Sequence, residues 1–198
     1  MSVCVVSCSV LKGELLQLRA EGKLDAELVF VSKNFHVDYA QLESNLRRML
    51  EHTKRRFNGR IVLVYGELCL GQSGEMEQLA RELGVVRVNA LNCIDCQLGG
   101  RGRALEADPE QDLMFMGPGM VEFFADMKRN LLQQGMDETA FRELFSGIKG
   151  LVLLDTCGNK AKLLEDLSAL GMGLEVIEVR EVGLGGVLRV VLDAIERG

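Results

Sequence analysis

The sequence contains no tryptophan, two tyrosines and two prolines, and aromatic residues make up only 5% of its 198 positions. So sparse an aromatic complement leaves little with which to stack nucleobases or sugar rings. Excess positive charge is also missing: 23 lysines and arginines face 29 aspartates and glutamates, a net charge of −6. That balance speaks against nucleic acid or an anionic membrane surface as a partner. No run approaches the ~20 consecutive apolar residues of a membrane span. The opening Ser2-Val3-Cys4-Val5-Val6-Ser7-Cys8 lacks the basic flank of a secretory signal, the first charge being Lys12. The expectation is a cytoplasmic protein with reduced cysteines, so the six present need a role other than a disulfide framework.

What is present is globular: 47% hydrophobic and 26% charged residues, enough for a full core without staples. With no repeat, low-complexity tract or proline-rich linker, the chain reads as a single α/β domain over residues 1–198. Strand and helix patterns alternate. Residues 3–8, 27–31, 60–65, 85–90, 113–116, 150–155 and 174–179 read as strands. Between them, 11–20, 38–56, 74–83, 120–134, 138–146 and 160–170 read as helices, a short one follows Cys93, and 187–195 closes the chain. Asp38, Ser73 and Asn159 are the expected N-caps, and Leu42, Leu46, Met49 and Leu50 the buried stripe of the clearest helix. Such alternation predicts a Rossmann-like doubly wound fold, its mostly parallel sheet covered by helices on both faces.

The chemistry-bearing residues fall after strand ends. Cys8 ends the first strand, His36 follows the second, Cys69 the third, Cys93 and Cys96 the fourth, and Cys157 the sixth. In a parallel sheet these loops share the carboxyl edge, where open α/β folds bind ligands. Thiolate and imidazole suit zinc and softer metals. Cys8, His36, Cys69 and Cys96 are therefore the candidate metal ligands, with Cys93 and Cys157 in reserve. The plain alternative for each cysteine is a small buried hydrophobe, and for Cys4, inside a strand, that reading is preferred. Cys93-Ile94-Asp95-Cys96 also reads as a thioredoxin-like redox pair at a helix start. Met114, Met116, Met120 and Met127 are core filler or the pliable wall of a pocket beside the thiols.

The segments Ser7-Cys8-Ser9-Val10-Leu11, Phe35-His36, Tyr65-Gly66-Glu67-Leu68-Cys69, Asp95-Cys96, Gly117-Pro118-Gly119 and Leu153-Leu154-Asp155-Thr156 resemble, in the same order, the domain-of-unknown-function family numbered 1638. The resemblance implies site roles for Cys8, His36, Tyr65, Gly66, Cys69, Asp95 and Cys96. It also implies a supporting role in anaerobic one-carbon metabolism, beside corrinoid-dependent methyl transfer, with a corrinoid protein or methyltransferase as partner. The chain departs from the family pattern at Leu70, which separates Cys69 from Gly71, and at Ile94, where the family has a histidine. The proline usual after the loop histidine is also missing from Val37-Asp38-Tyr39-Ala40. Cys93 is the expected replacement for the lost donor.

The functional expectation is a metal-binding protein with zinc first and an iron–sulfur centre second, Tyr65 and Gly66 at the cofactor and Asp95 orienting a ligand. Two alternatives stand beside it: a corrinoid-binding or corrinoid-handling protein, and a thiol–disulfide protein using Cys93 and Cys96. No catalytic triad, carboxylate pair or nucleotide motif assigns an enzymatic activity, and no pattern specifies an oligomeric state.

Overall fold

The computed structural model describes residues 2–197. β1 (Val3–Cys8), β2 (Glu27–Val31), β3 (Arg60–Val64) and β4 (Val86–Arg87) form one sheet in the order β2-β1-β3-β4. β5 (Leu113–Met116), β6 (Gly150–Asp155) and β7 (Val176–Glu181) form a second, in the order β5-β6-β7. Every strand pair is parallel. The expected Rossmann-like α/β architecture is present, with its strands distributed over two sheets.

The division arises at β4. Residues 85–90 read as a full strand, yet only Val86 and Arg87 pair with β3. Beyond them the backbone serves a loop: the Ala90 carbonyl accepts from Glu67 N, and the Arg87 guanidinium donates to the Val88 and Ala90 carbonyls. The ladder to β3 ends with Val88 N, which donates to the Leu63 carbonyl at 3.0 Å, and β4 stays a short edge strand.

The helices are α1 (Lys12–Ala20), α2 (Tyr39–Arg56), α3 (Glu75–Leu83), α4 (Cys93–Leu98), α5 (Arg103–Ala107), α6 (Pro118–Gln133), α7 (Glu138–Glu143), α8 (Lys160–Leu170) and α9 (Gly185–Arg197). On the first sheet, Cys4, Val6, Ile61 and Leu63 meet α2 and α3, while Val3, Val5, Val62 and Val64 meet α1 and α9. This is the period of two expected of strands covered on both faces. α2 buries Leu42, Leu46 and Leu50 fully, each worth about 2 kcal/mol. Its stripe continues to Thr53; Met49, expected inward, is only partly buried.

Asp38 and Asn159 cap as expected, their side chains accepting from Gln41 N and Lys162 N. Ser73 does not. α3 starts from Gly74 in the left-handed region at φ 89°, and the Glu75 carboxylate instead accepts from Ser73 N. The second sheet packs Leu151 and Leu153 against α6, α7 and α8. Its other face, through Val152 and Leu154, packs on Ile94 of α4. Because Cys96 of the same helix lies in the first sheet's core, α4 is the wedge that joins the two sheets.

Candidate functional site: a thiol-lined cavity

The β1–β3 register pairs Ser7 with Val64, so Cys8 and Tyr65, each one residue further on, emerge together at the carboxyl edge. Both lie in the core between this sheet and α2–α3. The Lys33–Val37 turn after β2 is fastened beside them by Lys33 N donating to Ser9 Oγ at 2.8 Å. This places His36 Nδ1 3.9 Å from Cys8 Sγ and 3.2 Å from the Lys33 carbonyl. The His36 ring lies parallel to Tyr65, with centroids 5.9 Å apart.

The loop after β3 is zipped onto the loop after β4. Glu67 N and Leu68 N donate to the Ala90 and Leu91 carbonyls at 2.9 and 3.0 Å. Gly66 permits the contact, because a side chain there would overlap the Leu91 carbonyl and the Asn92 backbone. Cys69, on the Glu67–Leu70 turn, thereby comes to α4, where Asn92 accepts from Asp95 N and sets Cys93 in the first turn. The far wall is α6. Its Gly119 approaches the Val10 carbonyl too closely for any side chain, and Met120 accepts from Cys93 Sγ at 3.8 Å.

The result is a cavity of about 260 Å³ lined by Cys8, His36, Cys69, Cys93 and Cys96, with Tyr65, Gly66, Lys33, Met120 and Phe123 completing its walls. Five of the predicted donors thus share one space, and Cys93, held in reserve, is among them. Two predicted residues lie elsewhere. Asp95 is fully buried, and both its oxygens are spent on backbone: it accepts from Leu91 N, Gly102 N and Ala104 N at 2.9, 2.8 and 2.9 Å. It fastens the loop that carries the thiols and does not line the cavity. Cys157, half-buried beside Thr156 and near Gly13, is also outside it.

Burial sets the protonation states. It pushes the Cys8 thiol up to about 12 and the Cys69 thiol up to about 11. Cys93 and Cys96 are driven further in the same direction, first by burial and then by the charges neighbouring thiolates would carry. Burial lowers His36, so its imidazole is neutral near pH 7. These thiols become thiolates only when a cation replaces their protons. As they stand, no three His, Cys, Asp or Glu side chains among the described residues form a group that could hold a metal ion. A tetrahedral zinc would need sulfurs about 3.8 Å apart. The donor chemistry fits a soft metal; the spacing of a single-ion site is not formed.

Several features had no expectation. Lys33 lines the cavity and pairs with Glu122 and Asp126 of α6 at 3.0 and 3.7 Å; its place beside His36 in the loop after β2 was the available signal. Phe123 carried none. A buried trio also joins the two sheets: Glu14 accepts from Gln97 Nε2 at 2.8 Å and from Thr156 Oγ1 at 2.9 Å. No described helix is long and apolar enough to cross a membrane.

No curated protein and no solved structure matches the chain. A family model matches residues 30–187, from β2 to α9, a stretch that carries every cavity residue named above except Cys8. The chain belongs to the family described as protein of unknown function DUF1638.

Proposed function

We propose that the protein is a binding protein for a soft metal centre, held in the cavity by Cys8, Cys69, Cys93 and Cys96 with His36 beside them. The observation that carries this reading is the convergence of four thiols, from three separate loops, on one space of about 260 Å³. Zinc remains a candidate. What favours a polynuclear iron–sulfur centre over it is room and spacing: four cysteines are the usual ligand set of such clusters, and the cavity exceeds a single ion. When bound, the centre would supply electron transfer or a Lewis-acidic position. The chain's own residues would hold it, keep water away through Met120 and Phe123, and present a neutral imidazole.

The resemblance supplies the setting, corrinoid-dependent one-carbon metabolism, with a corrinoid protein or methyltransferase as partner. The cavity is too small to enclose a macrocycle, so a corrinoid would be met at its mouth. The Cys93–Cys96 redox pair is the weaker reading, because Cys96 is buried and both thiols are held protonated.

Purification without oxygen, elemental analysis and a visible spectrum test the proposal. The expected result is a bound centre that Cys69→Ala loses. Metal-free, colourless wild-type protein that also takes up neither zinc nor iron and sulfide would overturn it.

A further inference from the structure

Tyr65 lines the cavity and is 2% exposed, and its hydroxyl is a buried polar group left without a hydrogen-bond partner among the described residues. The Cys8 thiol lies near enough to bear on it, yet a thiol sulfur is a weak acceptor and no well-formed bond joins the two. An orphaned buried hydroxyl costs about 1–3 kcal/mol. A fold that could have used phenylalanine here carries that cost at a cavity wall.

The remaining wall defines what could answer the hydroxyl. Val10, Leu68, Met120 and Phe123 are apolar, and neutral thiols behave as small hydrophobes. Lys33 alone among the lining residues carries a full charge, and Glu122 and Asp126 already neutralise it. A charged ligand would find no free counter-charge. The volume would hold about nine water molecules at ~30 Å³ each, far more than a metal ion needs.

We infer that the cavity takes a small, neutral, largely apolar organic molecule bearing one hydrogen-bond acceptor, which the Tyr65 hydroxyl receives. Such a molecule would fill the space that a thiol-bound centre leaves. The inference therefore deepens the metal reading and shares its cavity, but does not depend on the metal.

Acetophenone and ethylbenzene share a carbon skeleton and differ by one carbonyl. Each is titrated into wild-type and Tyr65→Phe protein, with binding followed by the Met120 methyl resonance. Both should bind in the cavity, and the acetophenone-to-ethylbenzene affinity ratio should fall about two- to tenfold in Tyr65→Phe. Failure of both probes to perturb Met120, or a ratio unchanged by the substitution, overturns the inference. Should the variant not fold, wild-type protein decides: an acetophenone-to-ethylbenzene affinity ratio no higher than their water-to-hydrocarbon transfer difference predicts refutes a functioning polar anchor. Metal content measured on the same samples separates the two readings. Metal-loaded protein that ignores both probes sinks only this one, and protein that neither holds nor takes up zinc or iron and sulfide, yet shows a Tyr65-dependent ratio, sinks only the other.

Discussion

Asp95→Ala should be the most damaging single truncation near the cavity, although the residue never faces it. The wild-type carboxylate, fully buried, receives three backbone N–H groups from Leu91, Gly102 and Ala104. Hydrogen bonds to a charged group contribute about 1.5–3 kcal/mol each, and their loss here also strands three part-buried donors. Water entering the vacated space recovers part of this, so a loss of about 4 kcal/mol is expected. With a urea slope of about 2 kcal/mol/M, the midpoint falls by about 2 M. Asp166→Ala is the control: its carboxylate meets Lys162 at 2.8 Å on the solvent side of α8 and should be worth less than about 0.5 kcal/mol. Asp95→Asn keeps one acceptor and should fall between. A midpoint shift below about 0.5 M in Asp95→Ala would refute the view that this carboxylate holds the loop of Cys93 and Cys96.

Two further outcomes follow from the buried ionisable groups. Burial holds the Glu14 carboxyl above its ordinary 4.5, so the folded chain binds more protons than the unfolded one from that value up to the raised one, and stability falls as pH rises through this window. Glu14→Gln should flatten the fall of the thermal midpoint as pH rises above about 4.5, and an unchanged slope would count against it. In metal-free protein, Cys69 at about 11 is thiolate in about one part per thousand at pH 8, so native alkylation by iodoacetamide should run about a hundredfold slower than in urea. Fast native labelling of Cys93 or Cys96 would restore the redox-pair reading.

Much of this architecture is written in local pattern. β1 and β6 are continuous apolar runs because both faces are covered, and the Leu42–Leu46–Leu50 stripe announces α2. The shared carboxyl edge follows from parallel pairing, which brings cysteines scattered in sequence to one side of the sheet. The division into two sheets had no such signature, since Val88 and Ala90 look like strand residues, yet the Val88 carbonyl is taken by Arg87 and Ala90 N and the Ala90 carbonyl by Glu67 N of another loop. Ser73 is a good cap by type, but the preceding Gly71-Gln72 turn delivers the chain to α3 through Gly74. Asp95 is expected, from the family resemblance, to orient a metal ligand; its three backbone partners are visible only once the loop closes. The Glu14–Gln97–Thr156 trio spans 142 positions of sequence, and Tyr65 matters for a partner it lacks; neither leaves a local trace.

The position of α9 has a consequence for how the chain is made. Val187, Val190, Val191 and Ala194 complete the face of the first sheet that Val62 and Val64 present. Arg60 and Arg197 add hydrogen bonds to the Ile195 and Arg87 carbonyls. During synthesis, β1 to β4 emerge before the second sheet, and the part of their apolar face that α1 does not cover stays open until α9 follows. The whole second sheet is made in the interval. Between the two sheets, order of synthesis and order of completion therefore run opposite: the earlier sheet is completed by a helix made after the later one. Removing α9 would uncover one face of the sheet whose other face carries Cys8.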